Sequence, residues 1–177
     1  ISSEWLSAMM EHAQRPEVGA VGAKLLFPDD TIQHAGVVLG INGTAGHCFK
    51  GFPGKEYHHY SQGVIKNVSA VTAACLLTKK EVFEKVGGLD EENFQIALND
   101  VDLCLKIRDQ GYLITYTPYA VLYHYESASR GYETTPEKKA RFEKERDFLQ
   151  YKWNNKLFED PYYNPNLTKE REDFSLN

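Results

Sequence analysis

The chain has 177 residues, of which 42% are hydrophobic and 12% are aromatic, enough to bury the core of one domain. Acidic residues outnumber basic ones by 25 to 20, which gives a net charge of -5, and no long basic run occurs. This balance argues against a nucleic-acid partner, because proteins that hold the phosphate backbone concentrate basic residues on one face. No stretch approaches the roughly 20 apolar residues that span a bilayer, so we expect no transmembrane segment in this chain.

The first half of the chain is predicted to contain one helix, three strands and a long loop. The helix passes through Trp5 and Met10 and ends before Pro16. The strands are expected at residues 18–27, 31–39 and 66–78, where small, β-branched and apolar residues dominate. Residues 40–63 contain six glycines and little periodicity, which predicts a functional or mobile loop.

The second half is predicted to be richer in helices. A short helix at 81–86 ends at a glycine pair, and a second helix runs from Asn99, as its N-cap, to Gly111. Two strands at 112–116 and 120–125 are separated by Pro118, and a charged amphipathic helix occupies 136–153. Strands and helices mix without strict alternation, so the predicted fold class is α/β with a mixed sheet flanked by helices.

The three cysteines, Cys48, Cys75 and Cys104, form no C-x-x-C pair and are far apart in the sequence. Their spacing argues against a structural zinc site and against a disulfide framework, and it suits a reducing compartment. Cys75 and Cys104 lie within apolar runs, so we expect them to be small core residues.

Two aspartates open the helix that follows Asn99. At 100° per residue, Asp100 projects into the apolar arc, whereas Asp102 projects to the polar side, where it can pair with Lys106. An inward carboxylate at a helix start can stay ionised beside backbone N–H groups, as a general base requires. Capping and helix-dipole stabilisation are the structural alternative for Asp100, and they suffice to explain Asp102.

Several motifs along nearly the whole chain resemble the second half of family 2 glycosyltransferases, especially the bacterial rhamnosyltransferase-like and polysaccharide-synthesis subgroup. The motifs are Trp5-Leu6, Val18-Gly19-Ala20-Val21-Gly22, Ile32-Gln33-His34-Ala35-Gly36, Thr72-Ala73-Ala74-Cys75-Leu76-Leu77, Gly87-Gly88-Leu89-Asp90-Glu91, Asn99-Asp100-Val101-Asp102-Leu103-Cys104-Leu105-Lys106-Ile107, Gly111-Tyr112, Tyr116, Pro118, Ala120-Val121, His124-Tyr125-Glu126-Ser127, Ser129-Arg130-Gly131 and Asp160-Pro161-Tyr162-Tyr163. Each motif is weak alone, but their combination and order are specific.

The resemblance implies a partial GT-A fold whose N-terminal nucleotide-binding half is missing. Residues 1–134 would then form the acceptor and catalytic-base part, and residues 135–177 a helix and an extended tail packed on it. The implied reaction is transfer from a nucleotide-diphosphate sugar to a hydroxyl of a glycan or lipid-linked acceptor, with inversion at the anomeric carbon. We expect no turnover from the chain alone, and a cytoplasmic location that includes the inner face of the membrane.

The resemblance also assigns roles to individual residues. Asp100 matches the catalytic base, although the residue before it is Asn99 where the family has glutamate. His124 matches a ligand of the divalent cation, Mn²⁺ or Mg²⁺, which is held mainly by an Asp-x-Asp motif absent from this sequence. The candidates for acceptor or donor contacts are Asn99, Asp90, Glu91, His34, His47 and Arg130. For the histidines and the arginine, ordinary loop contacts or a salt bridge are the preferred interpretation.

Two other functions remain open at the level of the sequence. A non-catalytic carbohydrate-binding or scaffold module would use its 11 tyrosines and two tryptophans to stack on sugar rings. Such a module has no need of an inward Asp100. A metal-dependent hydrolase built on His34, His47, Asp100 and His124 is weaker, because no H-x-H or H-E-x-x-H spacing occurs.

Overall fold

The computed structural model describes residues 3–54, 60–125 and 135–177. Its α-helices are α1 (Trp5–Ala13), α2 (Lys80–Lys85), α3 (Asn99–Asp109), α4 (Pro136–Trp153) and α5 (Asn155–Phe158). Its strands are β1 (Val18–Leu26), β2 (Ile32–His34), β3 (Val37–Leu39), β4 (Ala45–His47), β5 (Lys66–Val68), β6 (Leu76–Thr78) and β7 (Leu113–Tyr123). Among the helices in these ranges, none is long and apolar enough to cross a membrane.

A five-stranded mixed sheet forms the centre of the described structure. Its order is β2-β1-β7-β5, with β6 also paired to β1; β1 and β7 are parallel, and the other pairs are antiparallel. All nine residues of β1 are buried, because α1 packs on one face and α3 on the other. A strand covered on both faces is continuously apolar rather than alternating. The predicted α/β class with a mixed sheet and flanking helices is confirmed.

The strand predicted at 66–78 is wrong as a single element. It forms two short strands, β5 and β6, which pair with different neighbours, β7 and β1. Between them the chain crosses β1, where Val71 packs against Gly22. A Cβ added to Gly22 would lie 2.5 Å from Val71 Cβ, so the close approach requires glycine. This crossing places Thr72 and Ala73 over the sheet, beside the start of α3.

Two other strand predictions also differ from the structure. Residues 31–39 divide into β2 and β3 at Gly36, whose φ of 100° favours glycine, and β3 pairs with β4 within the predicted 40–63 loop. Conversely, the two strands predicted around Pro118 form one strand, β7. Its register against β1 passes from Thr117 opposite Ala23 to Val121 opposite Lys24, so Pro118 lies in a bulge, where its missing N–H is tolerated.

The start of α3 also differs from the sequence prediction. Asn99 is the first helical residue rather than the N-cap, and its side-chain amide donates to the carbonyl of Ile96 at 3.3 Å. The N-cap is Leu98, which lies in the left-handed region with a φ of 62° and gives no side-chain cap. A left-handed non-glycine residue costs about 1 kcal/mol, so the surrounding structure must hold it in place.

Candidate active site

The candidate site lies where the parallel strands β1 and β7 end. His124 directly follows β7, and its backbone N–H donates to the carbonyl of Leu26, the last residue of β1, at 3.0 Å. The carboxyl ends of neighbouring parallel strands are a common position for ligand sites in α/β sheets. The sheet therefore presents the His124 side chain at an edge suited to binding.

The ring of His124 is held by Gln33. Gln33 Nε2 donates to the backbone carbonyl of His124 at 3.4 Å, and its Oε1 lies 2.8 Å from His124 Nδ1. An amide oxygen only accepts, so Nδ1–H donates to it, and in the neutral imidazole the lone pair is then on Nε2. This is the tautomer in which a histidine can bind a metal through Nε2. Gln33 was missed by the sequence analysis.

A small cavity of about 80 Å³ adjoins the ring, lined by Gln33, His47, Lys50, Thr72 and His124. Among the described residues, no group of three or more histidine, cysteine or acidic side chains could hold a metal ion. His124 therefore fits as one ligand beside oxygen donors supplied from elsewhere. It does not make a complete site with the described residues.

Asp100 contacts the segment that crosses β1, at the residue after Thr72. One of its carboxylate oxygens accepts from the backbone N–H of Ala73 at 3.1 Å, and the other accepts from the N–H of Val101 at 2.9 Å. Asp100 is partly exposed, and Ala73 and Ala74 beside it are exposed. Asp100 and His124 are thus brought to one short segment, because Thr72 lines the His124 cavity and Ala73 binds Asp100.

A buried carboxylate fixes the loop that delivers Asp100. Glu145 is 2% exposed and accepts hydrogen bonds from three consecutive backbone N–H groups, those of Gln95 at 3.1 Å, Ile96 at 3.2 Å and Ala97 at 2.8 Å. The next residue, Leu98, is the left-handed cap, so Glu145 holds the backbone that this cap requires. The role of Glu145 was not predicted from the sequence, although its spacing from Phe142, Phe148 and Leu149 places it in the apolar stripe of α4.

Asp102 does not lie on a solvated polar face as predicted. It is fully buried and accepts from Trp153 Nε1 at 2.9 Å and from Lys152 Nζ at 2.8 Å. The predicted pair with Lys106 is present at 3.4 Å. The predicted exposure of Asp102 was wrong because α4 packs on the polar face of α3. Asp102 therefore joins α3 and α4 in the core.

Asp90 was predicted to contact the acceptor, but its carboxylate is bound by other residues of the chain. It accepts from the backbone and side-chain N–H groups of Asn93 at 3.1 and 3.0 Å and pairs with Lys152 at 3.2 Å. Desolvation raises the pKa of Asp90, but the hydrogen bonds from Asn93 and Lys152 outweigh it and lower the pKa below its ordinary value. Glu91 is exposed beside it.

Partial burial lowers the pKa of Lys152, but its hydrogen bond to Asp102, its attraction to that carboxylate and its contacts with Asp90 raise it above the ordinary value. Lys152 therefore remains charged and joins the carboxylates of Asp90 and Asp102.

His34 is a core residue. It is fully buried, and its Nδ1 lies 2.9 Å from His47 Nδ1. Burial, with the charges of His47 and Lys66 adding to it, lowers the pKa of His34 well below its usual value. His34 is therefore neutral and enclosed, which favours the structural interpretation over substrate contact. His47 lines the small cavity beside His124, and Arg130 lies outside the described residues.

Cys104 helps to align α3 with the crossing segment. Its sulfur lies 3.5 Å from the backbone nitrogen of Val71 and 3.7 Å from the carbonyl oxygen of Val71. Burial raises the pKa of the Cys104 thiol to about 12, so it is neutral and unreactive. The prediction of Cys104 as a core residue is confirmed. The contact of Cys104 with Val71 and that of Asp100 with Ala73 together hold one face of α3 against residues 71–73.

No family model matches the chain. It is 54% identical over 177 residues to the uncharacterized protein y4gI of Sinorhizobium fredii and 42% identical over 182 residues to the O-antigen biosynthesis protein RfbC of Myxococcus xanthus. Each alignment covers 99% of the chain, but the chain spans only 20% and 14% of those two relatives.

A third relative is the N-acetylglucosaminyl-diphospho-decaprenol L-rhamnosyltransferase of Mycobacterium tuberculosis. It is 26% identical over 135 residues, which cover 71% of the chain and 44% of that protein. The chain is therefore homologous to segments of longer bacterial O-antigen biosynthesis and rhamnosyltransferase proteins, which confirms the resemblance predicted from its sequence.

Proposed function

We propose that the chain forms the catalytic-base side of a bacterial glycosyltransferase for polysaccharide synthesis, as a segment of a longer cytoplasmic polypeptide. The reaction moves a sugar from a nucleotide diphosphate to a hydroxyl of a glycan or lipid-linked acceptor, with inversion at the anomeric carbon. The observation that carries the proposal is that Asp100 and His124 are brought to the same two-residue segment, Thr72 and Ala73, at the carboxyl edge of β1 and β7.

Asp100 acts as the general base in this reaction. Its two hydrogen bonds from backbone N–H groups fix the position of the carboxylate. Each carboxylate oxygen has a second lone pair, so Asp100 can also accept the proton of an acceptor hydroxyl. The acceptor oxygen then attacks the anomeric carbon of the donor sugar, and the bond between that carbon and the diphosphate breaks. A positioned base of this kind contributes about 10²–10⁴-fold to a rate.

His124 is the residue of the described chain that would hold a divalent cation, through Nε2. Hard cations prefer oxygen ligands, so the other ligands would be oxygens of the donor diphosphate and of carboxylates outside the described residues. A bound Mn²⁺ or Mg²⁺ supplies charge neutralisation for the diphosphate leaving group. Gln33 contributes by fixing the ring and its tautomer.

The test uses the longer protein that contains the chain, in unmodified form and as Asp100→Asn, Asp109→Asn and His124→Ala. Each is assayed for sugar transfer from a panel of nucleotide-sugars with Mn²⁺ or Mg²⁺. Asp100→Asn should lower the turnover about 10²–10⁴-fold without loss of donor binding. Asp109→Asn is the matched control, because Asp109 lies on the same helix in an exposed pair with Lys156.

Unchanged transfer in Asp100→Asn would reduce Asp100 to a helix-start residue. If no donor is consumed by any form of the protein, the carbohydrate-binding module becomes the better interpretation. His124→Ala should raise the metal concentration needed for half-maximal transfer. An unaltered metal requirement would remove His124 from the metal site without affecting the assignment of Asp100.

A further inference from the structure

A second cavity, of about 430 Å³, lies between β5, β3 and the C-terminal segment of the chain. It shares no lining residue with the small cavity beside His124. Its volume is within the range of about 300–1,000 Å³ that small-molecule sites occupy. Val64 and Tyr162 line it and are 42% and 41% exposed, so the cavity is accessible from solvent.

The cavity contains an unusual lysine. Lys66 Nζ lies 5.7, 5.2 and 5.9 Å from the ring centroids of Phe49, Tyr116 and Phe174. Within the described part of the chain, no carboxylate pairs with this ammonium and no acceptor hydrogen-bonds to it. Rings stabilise a cation but accept none of its three N–H bonds in good geometry. Lys66 is therefore a partly buried charge whose partner is lacking in the described structure.

Two amides on the lining add further donors. Asn67 Oδ1 accepts from Thr115 at 3.4 Å, and Asn164 Oδ1 accepts from the backbone N–H of Asn166 at 3.0 Å. Neither NH₂ group has a partner among the described residues. Lys66, Asn67 and Asn164 thus offer N–H donors that no described residue uses, which favours a ligand rich in acceptors.

An acidic residue limits the charge of that ligand. Asp160 also lines the cavity, but its oxygens accept from the N–H of Leu39 at 2.7 Å, the hydroxyl of Ser69 at 2.7 Å and the N–H of Tyr162 at 2.8 Å. It therefore makes no ion pair with Lys66 among the described residues, and its negative charge disfavours a ligand with two negative charges. Lys66 can therefore pair with one anionic group of a ligand, whereas Asp160 disfavours a second.

We infer that this cavity binds a sugar that carries one carboxylate group, such as a uronic acid unit. Lys66 pairs with the carboxylate, the NH₂ groups of Asn67 and Asn164 donate to ring hydroxyls, and the rings of Phe174 and Tyr162 supply apolar surface for the pyranose face. This inference is independent of sugar transfer, since it assigns a binding site and no step of the reaction.

Ligand-detected saturation-transfer NMR on the chain tests the inference with glucuronate as the probe. Glucose is the neutral comparison ligand, and glucose 6-phosphate is the comparison ligand with a higher negative charge. The glucuronate signal should exceed both others, and Lys66→Met should weaken it about tenfold. The control is Lys85→Met, because Lys85 contacts the ring of Tyr112 at 5.3 Å on an exposed surface and should leave binding unchanged.

Absence of a glucuronate signal, equal signals from glucose, a stronger signal from glucose 6-phosphate, or full binding by Lys66→Met would each overturn the inference. Circular dichroism establishes whether the variants fold. If Lys66→Met does not fold, the ¹³C signal of Lys66 Cε in the labelled unmodified chain replaces it. That signal should shift on titration with glucuronate and stay constant with glucose, and the reverse result would also refute the proposed site.

Discussion

The Asp100 carboxylate lies 3.1 Å from the backbone nitrogen of Ala73, a residue 27 positions earlier in the chain. This contact depends on two others, because Cys104 on the next turn of α3 meets the backbone of Val71, and Val71 packs against Gly22 of β1. The position of the candidate base is therefore set by the packing of α3 and β1 on one crossing segment.

Glu145→Gln should loosen the loop in front of Asp100. The neutral amide keeps one oxygen acceptor where the carboxylate supplied two, and charge-assisted hydrogen bonds are the stronger kind. We expect a loss of about 1–3 kcal/mol in the free energy of unfolding and faster hydrogen exchange at Gln95, Ile96 and Ala97. NMR-detected exchange measures the three amides directly. Glu143→Gln, on an exposed face of α4, is the control, and equal exchange in both variants would contradict the role of Glu145.

Asp102→Ala should be strongly destabilising. It leaves the indole N–H of Trp153 without its acceptor and removes a carboxylate that Lys152 needs. Breaking a buried pair from one side costs on the order of 3 kcal/mol. Urea unfolding measures this loss, with Asp109→Ala as control, because that exposed pair is worth less than about 1 kcal/mol. Similar losses from both variants would refute the buried network.

Gln33→Leu should allow both neutral tautomers of the His124 ring to be populated. Without the amide oxygen 2.8 Å from Nδ1, the proton is free to populate Nε2 as well. Long-range ¹H–¹⁵N spectra distinguish the two neutral tautomers of an imidazole. We expect the Nδ1–H form alone in the unmodified chain and a mixture in the variant. Gln14→Leu, at the exposed end of α1, should leave the spectrum of His124 unchanged, and a pure Nδ1–H form in Gln33→Leu would refute control by Gln33.

The stability difference between Lys66→Met and the unmodified chain should depend on pH. Burial lowers the pKa of Lys66 below its ordinary value of 10.5. Between the lowered pKa and 10.5 the unfolded chain binds more protons than the folded one, so the free energy of unfolding of the unmodified chain rises with pH there. Lys66→Met lacks this increase. Its free energy of unfolding, compared with that of the unmodified chain, is therefore greatest near neutral pH and declines towards pH 10.5.

Urea unfolding at several pH values between neutrality and pH 10.5 measures that difference. Lys24, whose pKa is also lowered by burial, contributes to both proteins and cancels in the comparison. A stability difference that stays constant across this range would mean that Lys66 titrates alike in the folded and unfolded chains.

Local sequence signals predicted the helices well. Apolar residues at helical spacing located α1, and Pro136 with Trp153 marked the bounds of α4, where Thr135 accepts from the backbone N–H of Lys138 as an N-cap. A proline in the first turn and a capping threonine act within a few residues, so they can be read without knowledge of the rest of the chain. The α/β class followed from the same local patterns.

The strands and the site were harder to predict because they depend on contacts between distant segments. Residues 66–78 contain apolar residues throughout, but only the approach of Val71 to Gly22 divides them into β5 and β6. Likewise, the pairing of Gln33 with His124 joins residues 91 positions apart, and no spacing rule identifies it.

Composition, hydrophobic periodicity and capping residues are local features, so the main helices and the position of Asp100 at a helix start were predictable from the sequence. Which aspartate is buried depends on the packing of distant helices, because α4 brings Lys152 and Trp153 to Asp102. The role of Glu145 depends on packing in the same way, because its three N–H partners lie in a distant loop. Hydrophobic periodicity records which faces are apolar, whereas a carboxylate can be buried only where distant segments supply its donors.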